Sequence, residues 1–157
     1  IQDLILALTK LDKTTLENIT IDVFGEGIYK STLTDLVHKY NLEKTINFKG
    51  SVDNLYVLYK AYDYMIQPTY MEAFSLSILE SLCCNVPVIT TTVGGNVEIV
   101  KDGTNGYLFQ AKDVNVLQSI ITQICNDKIS LLSNSFSSKI REQYALKTMV
   151  DNYLKLV

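Results

Sequence analysis

Apolar positions along the chain alternate between a helical and a strand rhythm. Residues 1–11 place Ile1, Leu4, Ile5, Leu8 and Leu11 at helical spacing. Residues 19–24 alternate around Ile21 and Val23 and run into Gly25-Glu26-Gly27, a strand ending in a tight turn. Leu33, Leu36, Val37 and Tyr40 mark a second helix over 30–40. A short strand over 45–49 stops at Gly50, and residues 53–62 predict a helix with Asp53 as its N-cap. Residues 64–67 form a strand stopped by Pro68. The second half repeats the rhythm. It predicts an apolar helix over 73–84, a β-branched strand over 87–91, and a short helix opened by Gly94 and Gly95 and running to Val100. A strand over 107–109 lies beside the turn dipeptides Asp102-Gly103 and Asn105-Gly106. Asp113 caps a helix to about 125, and residues 130–157 read as two further helices.

Strands alternating with helices of this length predict an α/β fold: a Rossmann-like parallel sheet of about five strands with helices on both faces. The 157 residues suffice for one domain, 1–157, with the C-terminal helices at about 130–157. Ligands of such sheets sit beyond the carboxyl ends of the strands, which directs attention to the loops at Gly25, Gly50, Pro68, Thr92 and Phe109.

Charge narrows the choice of partner. Fourteen Lys and Arg against seventeen Asp and Glu give a net charge of -3, and no cationic cluster is present, so nucleic acid is not expected. The longest uncharged stretch, residues 81–97, is broken by Asn85, Pro87, three threonines and two glycines, which excludes a membrane span there. Three cysteines, two of them adjacent (Cys83 and Cys84), make neither a disulfide framework nor a zinc spacing, and a reduced cytoplasmic setting is expected. The chain opens at Ile1 in the middle of a helical pattern, and it is expected to be a piece of a longer protein.

Three loops could carry chemistry. Gly25-Glu26-Gly27 allows close backbone approach to a ligand, but it lacks a third glycine and is equally a tight strand-to-helix turn. The stretch 68–80 places Glu72 at the mouth of a helix expected to begin near Ala73, with Glu80 about 12 Å further along the axis. The amides at such a helix start lack intrahelical partners and suit an anion. A carboxylate at each end could take the vicinal hydroxyls of a sugar and a ribose. On spacing alone this pair does not differ from ordinary helix carboxylates. Gly94-Gly95 again suits a sugar or anion packed against backbone, or simply a turn with a positive φ. The only histidine, His38, is remote from these loops, and no metal-ligand spacing occurs, so neither a catalytic triad nor a metal is expected.

The ordered set of segments is more specific than any one of them. Residues 21–27 (Ile-Asp-Val-Phe-Gly-Glu-Gly), 46–50 (Ile-Asn-Phe-Lys-Gly), Pro68-Thr69, the Glu72…Glu80 block, residues 87–95, residues 98–100 and the turn 102–106 occur in series. In that order they resemble the donor-binding half of retaining family-4-type glycosyltransferases of the GT-B fold, over about residues 1–125. The resemblance implies transfer of a sugar from a nucleoside-diphosphate sugar to an acceptor hydroxyl with retained anomeric configuration, in polysaccharide or glycolipid assembly. It implies that Glu72 holds hydroxyls of the donor sugar as the catalytic carboxylate. The backbone of Phe74, Ser75 and Leu76 would hold the sugar or diphosphate, and Glu80 the ribose. Gly25, Gly27, Gly94 and Gly95 would line the cleft, and the stretch from Gly50 to Val52 would touch the base. No cofactor or metal is implied beyond the donor itself.

The partners implied are the nucleotide-sugar, a glycan or lipid-linked acceptor, and an N-terminal acceptor domain of the same full-length chain. Peripheral attachment at the inner face of the membrane would run through that domain. Two departures stand out. Asn85 stands where the family has glycine, and asparagine tolerates the left-handed turn. The family's strand and loop carrying an Arg and a Lys would precede Ile1, so the fragment alone is expected to turn over no donor. The alternatives are a sugar-nucleotide epimerase or phosphorylase of the same fold, and a non-catalytic α/β binding module.

Overall fold

A computed structural model describes residues 1–132 and 134–155. The order of elements is α1 (Gln2–Leu8), α2 (Lys13–Glu17), β1 (Ile21–Phe24), α3 (Lys30–Lys39), β2 (Ile46–Gly50), β3 (Met65–Gln67), α4 (Leu76–Cys83), β4 (Val88–Thr91), α5 (Asn96–Ile99), β5 (Gly106–Phe109), α6 (Val114–Cys125), α7 (Ser137–Gln143) and α8 (Leu146–Leu154). Every strand pairing is parallel. The strand alternation decides which face each helix covers. In β4, Ile89 packs into a cluster with Leu4, Ile5 and Leu8 of α1, Val37 of α3 and Leu117, Ile120 and Ile121 of α6. Its neighbour Val88 packs the opposite way, with Ile78 and Leu82 of α4, Ile99 of α5 and Ile140 of α7. The strands Met65–Gln67 and Gly106–Phe109 alternate in the same sense, so helices cover both faces as the pattern predicts.

The single five-stranded sheet is not what forms. Two sheets are present, β1-β2 and β3-β4-β5, and no ladder joins β1 to β3 among the described residues. A cavity of about 820 Å³ lies between them, lined by every residue of β1 and β3 together with Ile1, Leu4, Ile89 and Ile121. Strands must lie within about 5 Å of each other to bond, and this gap is too wide for that.

Three helix assignments also change. Residues 53–62 form two 3-10 turns, Leu55–Val57 and Tyr59–Ala61, rather than one α-helix, and Asp53 caps neither. Tyr59 is buried there with its hydroxyl donating to the Ser77 carbonyl at 3.1 Å, so a side-chain anchor rather than a helical ladder places this segment. The first helix ends at Leu8, and Asp12 starts a new one by accepting from the Thr15 amide at 2.9 Å. The helix expected from Ala73 begins at Leu76, because the Ser75 hydroxyl accepts from the Ile78 amide and ends the loop there.

Other expectations hold. Asp113 caps α6 by accepting from the Val116 amide at 3.0 Å. Asn85 takes the left-handed conformation at φ 63°. Its side chain also donates to the Asn134 carbonyl and accepts from the Phe136 and Ser137 amides, which ties the end of α4 to the start of α7. Two C-terminal helices form as expected, and residues 133, 156 and 157 of the range 130–157 lie outside the described residues. No helix among the described residues is long and apolar enough to cross a membrane.

The β1-β2 pair is fastened to the segment that follows it by one carboxylate. Asp22 accepts from the Tyr62 hydroxyl at 2.8 Å and the Asn47 amide at 3.1 Å, with the Lys49 ammonium 3.6 Å away. Burial pushes this carboxyl up, but the Tyr62 and Asn47 hydrogen bonds and the Lys49 charge outweigh it and hold its pKa below the ordinary value. A lowered folded-state pKa stabilises the fold above about pH 4 and loses that contribution as pH falls through the folded value. The urea midpoint measured from pH 5 down to pH 2 should therefore fall less steeply in Tyr62→Phe than in the wild type. Parallel curves would show that this bond carries no pH-linked stability.

Candidate functional site

The loop 68–75 leaves β3 at its carboxyl end and enters α4. It is held against its neighbours at several points. The Thr90 hydroxyl donates to the Gln67 carbonyl and the Thr91 hydroxyl to the Thr69 carbonyl, each at 2.8 Å. The Gly95 amide donates to the Ala73 carbonyl at 2.9 Å, and the Ser75 hydroxyl donates to the Gln67 side-chain oxygen at 2.9 Å. Both threonines are fully buried, and so is Asn96, whose amide group donates to the Thr90 hydroxyl and the Thr91 carbonyl. Sequence reasoning passed over Gln67, Thr90 and Thr91. The available signal was a pair of polar residues inside a strand buried on both faces.

Gly94 and Gly95 do something other than approach a ligand on this side. A Cβ on Gly94, whose φ is +54°, would overlap the Glu72 carbonyl oxygen, and one on Gly95 would overlap that of Ala73. The two glycines let one loop lie directly on the backbone of the other.

The result at the start of α4 is a run of free donors. Among the described residues, the amides of residues 74–77 make no hydrogen bond, while the Ser75 hydroxyl serves Ile78. Glu72 precedes this run by two residues rather than standing at the helix mouth. Its side chain is half-buried and has no hydrogen bond or ion pair among the described residues. Glu80 lies on the second turn of α4, exposed, and its charge acts on the buried Tyr59. That phenol is pushed up to about 12, first by burial and then by the charges of Glu80 and Cys84. The Phe74 ring packs 5.9 Å from that of Tyr144, and the Leu76 side chain is exposed.

The remaining predicted residues gather at the other sheet. The Gly25 amide donates to the Gly50 carbonyl at 2.7 Å, which joins the ends of β1 and β2. Gly25 at φ 118° and Gly50 at φ 73° both need glycine's freedom. Glu26 and Lys30 pair at 2.9 Å over this turn. A Cβ on Gly27 would meet open space. The structure therefore brings together Glu72, Phe74, Ser75, Leu76, Gly94 and Gly95 in one group and Gly25, Gly27 and Gly50 in another. Each group lies at the carboxyl ends of its own sheet, with the cavity between β1 and β3 separating the two sheets. No group of three or more His, Cys, Asp or Glu residues is arranged to hold a metal among the described residues.

Comparison with known proteins places this geometry. The family model described as Glycosyl transferases group 1 matches residues 1–143. The chain is 29% identical over 157 residues to an N-acetyl-alpha-D-glucosaminyl L-malate synthase of Bacillus anthracis, covering 98% of this chain and 40% of that protein. It is 32% identical over 129 residues to a D-inositol 3-phosphate glycosyltransferase of Salinispora arenicola, covering 77% of this chain and 29% of that protein. The chain thus spans less than half the length of these relatives. Among solved structures, it is similar to the Anabaena protein Alr3699/HepE in complex with UDP, with a TM-score of 0.85 at 23% identity over 99% of this chain and 45% of that one. That likeness establishes the shared fold, that of the GT-B glycosyltransferases.

Gly94 and Gly27 should respond differently to a methyl group. Gly94→Ala meets both a positive φ and a backbone collision, and should cost about 3 kcal/mol, or about 6 °C or more of thermal midpoint. Gly27→Ala should leave the midpoint within about 1 °C, since it meets nothing. Thermal denaturation of both variants checks this. A stable Gly94→Ala protein would show that the loop contact has been misjudged.

Proposed function

The chain belongs to the glycosyl transferases group 1 family, and from that premise we propose that it is the donor-binding half of a retaining, family-4-type sugar transferase. The reaction moves a sugar from a nucleoside-diphosphate sugar to an acceptor hydroxyl. The observation that carries this reading is the run of unpartnered amides over residues 74–77, bracketed by two carboxylates that have no ion pair among the described residues. Such donors favour an anion at a helix start, and they are oriented before the ligand arrives. Negative charge builds on the diphosphate as the sugar leaves, and fixed amides stabilise it without reorganising.

In this reading Glu72 holds hydroxyls of the donor sugar and Glu80 those of the ribose. The ends of β1 and β2, at Gly25, Gly27 and Gly50, receive the base. Gly94 and Gly95 act by holding the Glu72 loop in place. The UDP in the Anabaena structure supports a nucleoside diphosphate as the anion. The names of the curated relatives, a synthase and a glycosyltransferase, favour transfer over the epimerase and non-catalytic alternatives.

The cavity between β1 and β3 supports an N-terminally truncated domain. Both strands line it along their whole length, and each is paired on one edge only among the described residues. One more parallel strand placed there would pair both edges and join the two sheets. The acceptor, a glycan or a lipid-linked one, would meet the donor through an N-terminal domain of the full-length chain. Such an enzyme would work in the cytoplasm, at the inner face of the membrane, and the chemistry of the site calls for no metal.

A thermal-shift panel of UDP-, GDP- and ADP-sugars on the full-length protein tests the reading. One donor at about ten times its dissociation constant should raise the midpoint by about 3 °C, and Glu80→Ala should remove most of that rise. A panel without any shift, or a shift untouched by Glu80→Ala, would contradict the assignment.

A further inference from the structure

Among the described residues, the crest of the Glu72 loop is joined to other elements by a single hydrogen bond. Thr69 is held by Thr91, Ala73 by Gly95 and Ser75 by Gln67. Between them, over residues 70–72, the only hydrogen bond to another element among the described residues is that of the Tyr70 hydroxyl, which donates to Oδ1 of Asp3. Asp3 lies 67 positions away in sequence, on the first turn of α1. Its other oxygen accepts from the Lys112 backbone amide at 3.1 Å, and Lys112 holds a left-handed φ of 70° in the turn between β5 and α6. The Lys112 ammonium lies 5.6 Å from the centre of the Tyr70 ring.

Asp3 is an unusual residue for its place. It is 4% exposed, its neighbours Leu4 and Ile5 are core residues, and it has no ion pair with a cationic side chain among the described residues. Burying a carboxylate is costly, and favouring the start of a helix needs no burial. What the burial achieves is a junction. One carboxylate joins α1, the β3–α4 loop and the β5–α6 turn, two of which are loops at the carboxyl end of the three-stranded sheet. Tyr70 stands two residues before Glu72, on the same crest of the loop.

We propose that Asp3 is a positioning residue that, through Tyr70, fixes the loop 68–75 so that Glu72 meets the donor sugar in one orientation. The part concerning Glu72 rests on the reading of the site given above. The base and ribose are held elsewhere, by Glu80 and the ends of β1 and β2, and the amides that take the diphosphate keep their own ties through Gly95 and Gln67. Loss of the tie therefore acts on turnover more than on donor affinity.

The test uses the full-length protein with Asp3→Asn, Tyr70→Phe and the double variant. Tyr70→Phe keeps the ring and its contact with Lys112, so it carries the test if Asp3→Asn does not fold. Hydrogen exchange of the free protein should show the Thr69 and Met71 amides, which carry the hydrogen bonds of this part of the loop, exchanging about tenfold faster in each variant, with residues 88–91 unchanged. At a temperature well below the midpoint, kcat should fall about fivefold with the donor KM within about twofold, and the double variant should be no worse than either single one. Unchanged exchange in the loop, unchanged kcat, or losses that add in the double variant would overturn the proposal. If the wild-type protein transfers from no nucleotide-sugar, the reading of the site fails. The exchange measurement still decides whether Asp3 holds the loop.

Discussion

Two stretches of backbone lie against each other at the carboxyl end of the three-stranded sheet, and the geometry of the site depends on that contact. Loop 92–95 rests on loop 68–75 with no side chain between them, which only glycine at 94 and 95 allows. The contact sets where Ala73 sits, since the Gly95 amide holds its carbonyl. Ser75 can then reach both the Gln67 side chain and the Ile78 amide, so that α4 starts at Leu76. Because the helix starts there, and not three residues earlier, the amides of residues 74–77 are left without partners and Glu72 lies outside the helix. Two glycines thus act on the chemistry at one remove, through the path of the chain.

The same economy appears in the buried polar residues. Thr90 and Thr91 occupy positions that a sheet buried on both faces would otherwise fill with aliphatic side chains, and Asn96 is buried beside them at the start of α5. The two threonines donate to backbone carbonyls of β3 and the loop, and Asn96 donates to the Thr90 hydroxyl and the Thr91 carbonyl. They replace packing energy with hydrogen bonds that specify one loop path, a trade expected where a site must be rigid before its ligand arrives.

Much of this was legible in the sequence. The strand and helix rhythm predicted helices on both faces of the sheet, as Val88 and Ile89 show by packing opposite ways, and the apolar spacing over 1–11 and 30–40 and the Asp113 cap located the helices of one face. Asp113 and Asn85 were read correctly from local chemistry, because capping and a left-handed turn are decided within a few residues. Pairing is decided elsewhere. A strand pattern gives no sign of whether β1 will find β3, and here a cavity separates them. The early start assigned to α4 followed apolar continuity through Ala73 and Phe74. Ser75 three residues before Ile78 was the competing signal, and the capping oxygen prevailed. The tie between Asp3 and Tyr70 had no signal at all, since its partners are far apart and neither belongs to a motif. The role of Gly94 was half visible. The sequence suggested the positive φ, and only the fold showed which backbone fills the space.

Diffraction from crystals of the intact enzyme grown with a donor nucleotide-sugar tests the central claim most directly. The account predicts diphosphate density within hydrogen-bonding distance of the amides of residues 74–77, with the sugar toward Glu72 and the ribose toward Glu80. Density for the diphosphate held by side chains at another place, with those amides still unoccupied, would contradict it.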